Sequence, residues 1–231
     1  KYSTKALMNN TFINRGIKFA FASIISAMFC AITLIPVFMI LKNSSATSGT
    51  FPDTFTSYFD ILDFITSHFA ILETTIRSSG DNVLPNVYTG ILTLILLPLF
   101  LLNNKISLKE KATYVLLMVF FIFSFNNNCA NYIWHAFHFP NDLPYRFSYM
   151  YSFIVAVMGY KTLINFKAIN IKDIVYSGLG VITIVILAQK FLTNKMTNST
   201  IYATIILVAL WCGYLLIVKN KNIQKRLTAF V

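Results

Sequence analysis

Six long apolar runs, separated by short polar connections, decide what this chain can fold into. They are Ile17–Leu41, Val87–Leu102, Ala112–Phe125, Phe147–Asn165, Ile174–Leu192 and Ile201–Val218. About 20 apolar residues in helical form cross the ~30 Å hydrocarbon core of a bilayer, so each run is read as a span. The second and third are short and borrow from their flanks. A helix satisfies its own backbone donors and acceptors in hydrocarbon, which an open sheet edge cannot do. Composition agrees with this: charged residues make up 12% of the chain and hydrophobic ones 56%. A soluble domain carries roughly a quarter charged residues. The expected fold class is all-α integral membrane, with about six transmembrane helices in one multi-span domain over residues 1–231. Pro36 and Pro98 fall inside runs and predict kinks there. A start at Lys1 and an apolar end, LTAFV, point to an internal piece of a longer protein.

A net charge of +11 invites a nucleic-acid reading, but position opposes it. With alternating spans, 14 of the 19 Lys and Arg residues fall on one side, among them Lys105, Lys109, Lys111, Lys161, Lys167 and Lys172. The other side holds Lys42, Arg77, Arg146, Lys190 and Lys195. The positive-inside rule makes the first side cytoplasmic and puts both termini there, in a multi-pass membrane protein. No basic stripe with interleaved aromatics lies outside the apolar runs, so no nucleic-acid partner is expected. Membrane lipid is. Cys30, Cys129 and Cys212 are scattered and odd in number, which fits neither a disulfide framework nor a zinc site.

Two outer segments are too long to be turns. The first, 43–84, opens on a flexible polar stretch. From Phe55 to Ile76 its apolar residues then recur at helical spacing, with Thr56, Asp60, Asp63, Ser67 and Thr74 opposite. This predicts an amphipathic helix lying on the outer surface or against the bundle as a lid. His68, alone in that stretch, is assigned no special role.

The second outer segment, 126–146, crowds Asn131, Trp134, His135, His138, Asn141, Asp142, Tyr145 and Arg146 at one membrane face. Asn141 or Asp142 can cap the next helix and Pro144 suits its first turn, which would leave Arg146 one turn inside. A helix N-terminus favours an anion, and an Arg fork beside it suits phosphate oxygens. The competing reading is an Arg that snorkels to the headgroups between belt aromatics Trp134 and Tyr145. His135 and His138, three apart, would share a helix face. Neither has a carboxylate or Cys at ligand spacing, so no metal site is assigned. General acid–base or hydrogen-bonding roles suit them better. No P-loop, GxGxxG or GxSxG motif gives a soluble cofactor a foothold.

The block NYIWHAFHFPNDLPYRFSYMYSF, with its Trp-His pair and its Pro-Tyr-Arg-Phe-Ser run before a span, resembles the signature of the YfhO family of bacterial membrane proteins. The upstream LPNVYTGILTLILLPLFLLNNKISLKEK is similar to that family's Leu-Pro-Asn-x-Tyr-x-Gly lead-in to a span. The resemblance covers about residues 84–161 well and the rest by hydropathy pattern. It implies a GT-C-like bundle: a polytopic glycosyltransferase that moves a sugar from a polyprenyl-phosphate carrier to a cell-surface glycopolymer, such as teichoic acid. Under it, Arg146 takes the donor phosphate, and Asn131, Trp134, His135, Asn141 and Tyr145 line the pocket. The candidate catalytic groups are His135, His138 and Asp142. Such enzymes usually carry a catalytic acid in the first outer loop, and this chain is expected to begin beyond that loop. Beyond the lipid-linked sugar donor no cofactor is identified, and metal dependence is left open.

The main rival is a transporter or lipid-linked-sugar flippase, which would place polar groups near the bilayer midplane on broken helices. A non-catalytic scaffold in a glycan-assembly complex is a third possibility.

Overall fold

A computed structural model describes residues 2–42, 50–76, 83–140, 142, 144–191 and 196–220. Among them the chain is helical and contains no strand. The α-helices among the described residues are α1 (Tyr2–Lys42), α2 (Asp63–Thr66), α3 (Ile91–Leu102), α4 (Leu108–Phe125), α5 (Asn128–Trp134), α6 (Ser148–Ile164), α7 (Ile171–Phe191) and α8 (Asn198–Lys219). Every apolar run of the sequence is the body of one of the six longer helices. Among the described residues three helices are long and apolar enough to cross a membrane: α1 through Thr11–Ile40, α7 and α8. Helix α3 is a shorter apolar helix. The all-α membrane architecture is therefore as expected.

The residues fall into two compact units, Lys1–Gly49 and Thr50–Val231, where hydropathy alone suggests one multi-span domain. The first unit is α1, apolar on all sides, with Phe12, Phe19, Phe29, Ile32 and Phe38 exposed around it. That is the pattern of a helix bathed in lipid. Pro36 lies inside it.

In the second unit α3 is the centre, packed against α6, α7 and α8, while α4 packs on α6. Ile91, Ile95, Leu96 and Leu99 of α3 are buried with Ile174, Val181, Val208 and Leu215. Lipid tails are as apolar as these side chains, so fit and hydrogen bonds must supply the association energy. Both are present. Gly159 of α6 lets Thr93 and Leu96 of α3 approach closely. Ser177 Oγ donates to the Ile95 carbonyl (2.6 Å), and Thr162 Oγ1 to those of Met158 (2.9 Å) and Leu96 (3.4 Å).

The helix ends are signalled locally. Ser107 caps α4, its Oγ accepting from the Glu110 N–H (3.3 Å), in a Ser-x-x-Glu sequence. Asn127 caps α5 and Thr197 caps α8 in the same manner. One end of the unit gathers Lys105, Lys109, Lys111, Lys161, Lys167, Lys172 and Lys219. There Lys161 pairs with Glu110 (2.6 Å), and Lys219 donates to the carbonyls of Phe166 (3.3 Å) and Lys167 (2.8 Å). The opposite end holds the two long polar segments and most of the acids. Lysine segregation by side is thus a property of the folded unit.

The amphipathic helix expected over 55–76 does not form. Its helical core is the single turn α2, and Ile71 takes a left-handed φ of 57°. The cause lies across the fold. Asn126 Oδ1 accepts from the backbone N–H groups of Tyr58 and Phe59 (both 2.9 Å), and Asn128 Oδ1 from that of Thr56 (3.1 Å). Asn128 Nδ2 donates to the Thr54 carbonyl (2.8 Å). A long-range ladder of side-chain amides has taken the groups a helix would have paired internally. Part of the apolar set still goes inward: Phe59 and Phe64 join Phe125, Phe147 and Tyr151, and Phe69 joins Val185, Ala188 and Ile201. Phe55, Leu62, Ile65 and Ile76 are exposed, while Asp63 and Ser67 are buried. The segment is a lid against the bundle, pinned by Ala70 N–H donating to Thr204 Oγ1 (3.0 Å).

Candidate functional site

Two segments meet at the lid end of the second unit. The Leu-Pro-Asn-x-Tyr-x-Gly stretch lies outside any helix from Val83 to Gly90, and its Asn and Gly have identifiable tasks. Asn86 clamps the lid by donating from Nδ2 to the Thr75 carbonyl (2.7 Å) and accepting at Oδ1 from the Thr75 N–H (3.0 Å). Val87 is fully buried. Gly90, at the head of α3, has φ 91°, where a side chain would be strained. The stretch lets α3, only about 18 Å long, sit deep in the unit, with non-helical chain between it and the surface.

Segment 126–147 forms the other half. Helix α5 ends at Trp134, and Ala136 (φ 57°) and Phe137 (φ 65°) then reverse the chain with two successive left-handed residues. Two non-glycine residues in this conformation are costly, and such strain collects at functional corners. His135 and His138 therefore do not share a helix face, although the turn still brings their rings to 6.3 Å between centroids. His135 is buried. Its Nδ1 lies 2.8 Å from the Asn131 carbonyl, which can only accept, so Nδ1 carries the proton. The neutral ring then offers a lone pair at Nε2, which is buried without a partner. Burial pushes the His135 pKa down; its bond to the Asn131 carbonyl opposes this, and the charges of Arg146 and His138 add to it. Asn131 Nδ2 donates to the Tyr58 hydroxyl (3.2 Å), while its Oδ1 is also buried and unpartnered.

Helix α6 starts later than expected, at Ser148 rather than Pro144. Asp142 and Pro144 do not cap it. Residues 144–147 form a turn, with Ser148 N–H donating to the Tyr145 carbonyl (2.9 Å). No side chain caps α6, so Arg146 sits just before an uncapped N-terminus and not one turn inside. Its guanidinium is exposed, donates weakly to the Asp142 carbonyl (3.4 Å), and makes no ion pair among the described residues. Arg146 lines a cleft of about 150 Å³ with Tyr145, Ser148, Thr75, Leu84 and Asn86. Tyr145 also walls a second cleft of about 300 Å³, lined by Tyr58, Asn128, Asn131, Phe139 and Pro144.

The residues expected at one pocket are thus distributed. Arg146 and Tyr145 share the first cleft, and Asn131 and Tyr145 the second. Trp134 lines neither: its ring stacks on Phe147 (4.7 Å, 11°) and Phe121 (5.8 Å, 30°). Neither histidine lines these clefts, Asp142 is exposed beside Arg146, and Asn141 lies outside the described residues.

Four residues escape sequence reasoning. Asn126 and Asn128 hold the lid, and the Asn126-Asn127-Asn128 run was the available signal. Asn86 sits inside a quoted motif with no task attached. His68, assigned no role, meets the Tyr151 hydroxyl through Nε2 (3.1 Å) deep under the lid, where burial pushes its pKa down to about 4. Among the described residues no cluster of three His, Cys, Asp or Glu side chains could hold a metal ion.

Searches of curated proteins and of solved structures find no significant match to this chain. One protein family does match, over residues 4–231, and its description is bacterial membrane protein YfhO. Nearly the whole chain is covered, including both segments that build the lid end, so the chain belongs to the YfhO family of bacterial membrane proteins.

Proposed function

We propose that the lid end of the second unit is the donor site of a membrane glycosyltransferase of the GT-C type. It would take a sugar from a polyprenyl-phosphate carrier and pass it to a cell-surface glycopolymer such as teichoic acid. One observation carries this: an exposed Arg146, unpaired by any described carboxylate, stands at the uncapped N-terminus of the 17-residue helix α6 and opens onto a cleft. Free N–H groups, the positive end of the helix dipole and a guanidinium fork favour one ligand chemistry, a phosphate. The lysine-rich end lies opposite, so the positive-inside rule puts this site on the outer face of the cytoplasmic membrane.

In the transfer an acceptor hydroxyl attacks the anomeric carbon, the bond from that carbon to the phosphate oxygen breaks, and charge builds on the departing lipid phosphate. Arg146 stabilises that charge. The neutral His135, with its lone pair at Nε2, is the candidate acceptor for the hydroxyl proton. That atom is buried and lines neither cleft, so the step requires the acceptor to open a path to it, and the neighbouring His138 tunes the ring. The transporter reading is weaker because the buried hydroxyls within the bundle, those of Ser124, Thr162, Ser177 and Thr204, donate to backbone carbonyls. They serve helix packing.

The test is transfer from radiolabelled polyprenyl-phosphate sugar in membranes containing the full chain. Arg146→Ala should lower turnover by about 10²–10³-fold, the usual cost of one electrostatic donor in a transition state. Arg146→Lys should recover part of it. Equal transfer by Arg146→Ala, at equal protein level, would remove the phosphate site from this corner.

A further inference from the structure

A third cleft in the second unit lies beside the Arg146 cleft and has been given no role. It measures about 510 Å³, within the range of ligand pockets, and runs between the lid and the non-helical Val83–Tyr88 stretch. Thr75, Leu84 and Asn86 line both clefts and so form a shared wall.

Its lining is mixed in a particular way. Ser67 is 3% exposed, and its Oγ is buried with no hydrogen-bond partner. A hydroxyl kept from water and from protein is a standing cost, which a ligand hydroxyl in the cleft would remove. Glu73 supplies a carboxylate, which accepts several hydroxyl donors at once. Tyr88 presents a half-exposed aromatic ring, and apolar side chains fill the remainder. An aromatic face for C–H groups, a carboxylate and an orphan hydroxyl together suit a ligand with one apolar face and a rim of hydroxyls.

We propose that this cleft binds a pyranose, with Glu73 and Ser67 taking its hydroxyls and Tyr88 its C–H face. The assignment deepens the transferase reading and rests on it for the identity of the bound unit. That unit is the donor's sugar or the acceptor's terminal sugar, and both share this chemistry. Nothing in it requires Arg146, whose cleft would hold the phosphate next door.

The experiment uses the full chain in detergent with methyl hexopyranosides as probes, read by saturation-transfer NMR, alongside the sugar-transfer assay. Wild type should show saturation transfer to ring C–H protons. Glu73→Gln and Tyr88→Ala should each weaken binding about tenfold or more. Ser67→Ala should weaken it as well while leaving the melting temperature equal or higher, because it removes an unpartnered hydroxyl; a merely structural serine would show the reverse. Arg146→Ala should leave methyl glycoside binding intact. In the transfer assay, a raised KM for the donor in Glu73→Gln identifies the donor's sugar, and a raised KM for the acceptor identifies the acceptor's. Absence of saturation transfer in wild type, or equal binding by all three cleft variants, overturns the proposal. If wild type binds the probes but transfers no sugar, the transferase reading fails and the pyranose cleft stands. If it transfers sugar with KM unmoved in Glu73→Gln and Tyr88→Ala, the cleft fails and the transferase stands.

Discussion

Asn126 ties segment 126–147 to the lid with one side-chain oxygen, and removing it isolates what that link is worth. Asn126 Oδ1 accepts from Tyr58 and Phe59 N–H, both at 2.9 Å, and Phe59 is itself buried. Asn126→Ala deletes the acceptor and leaves two backbone donors facing apolar neighbours. A net loss of about 1–1.5 kcal/mol per bond gives roughly 2–3 kcal/mol against opening of the lid. Each 1.4 kcal/mol is a factor of ten, so the open population rises roughly 30- to 150-fold. Chymotrypsin reads this directly, since it cuts after Tyr58 and Phe59 only when the lid has left the bundle, and cleavage follows the open population when reclosing is fast. The rate at these two sites should rise by the same factor, while cleavage at exposed Phe55 changes little. Asn126→Asp keeps an acceptor in place and should restore most of the protection above the carboxyl's titration range. A change of less than threefold in Asn126→Ala would refute the account of why this segment is a lid and not a helix. The energy would then reside in Phe64 and Phe69.

His68 sets a pH dependence. Its folded pKa of about 4 lies below its unfolded value, so the unfolded chain binds more protons and stability falls as pH drops from about 6.5 to 4, by up to about 3 kcal/mol. Melting in detergent across that window should show the loss in wild type and a flatter profile in His68→Phe. At Gly178 in α7 an added Cβ would overlap Cys212 Sγ of α8, so Gly178→Ala should destabilise the α7–α8 pair by about 1–3 kcal/mol. Adding Cys212→Ala should restore most of the melting temperature, and failure to do so would show that the contact is not the cause. Thr204→Val keeps shape but leaves the Ala70 N–H unpaired, at a cost of about 1–3 kcal/mol, readable as faster chymotryptic cleavage near Phe69.

The helices were legible because hydropathy reports burial in lipid one residue at a time. Ile171–Phe191 and Asn198–Lys219 follow their apolar runs to within a few residues at each end. The cap of α4 is a local signal in the sequence that went unused, since Ser107 and Glu110 are three residues apart. The cap expected from Asn141 or Asp142 is not what starts α6. The lid was not legible as a lid. Phe55, Phe59, Leu62 and Phe69 keep helical spacing, yet the donors of Thr56, Tyr58 and Phe59 are taken by Asn126 and Asn128, about 70 residues away. Periodicity records which side chains would face inward from a helix, and here it matches the fold at Phe59 and Phe69. It fails at Phe55, Leu62, Ile65 and Ile76, which are exposed, and at Asp63 and Ser67, which are buried. It carries no record of where the backbone N–H groups go. The start of α6 was missed on similar grounds, since Pro144 is compatible with a first turn but the reversal at Ala136 and Phe137 delivers the chain in a different direction.

The short α3 explains why a site can exist at this end. A helix of 12 residues leaves roughly 12 Å of a ~30 Å core unspanned on its own axis. Non-helical backbone at that depth is tolerated only where protein or a cavity covers it. Here the Val83–Gly90 stretch and the lid cover one another, through Asn86 on Thr75 and Thr75 Oγ1 on the Leu84 carbonyl (3.0 Å). The two clefts that share Thr75, Leu84 and Asn86 open along that seam. Shortening one central helix therefore does two things at once. It creates a concave end where a full-length span would have left a flat one, and it supplies polar backbone to line it. Helix α6, parallel to α3 and longer by five residues, brings its uncapped N-terminus and Arg146 to the rim of the same depression. The Arg146 cleft and the larger cleft beside it thus follow from a difference in length between two neighbouring helices.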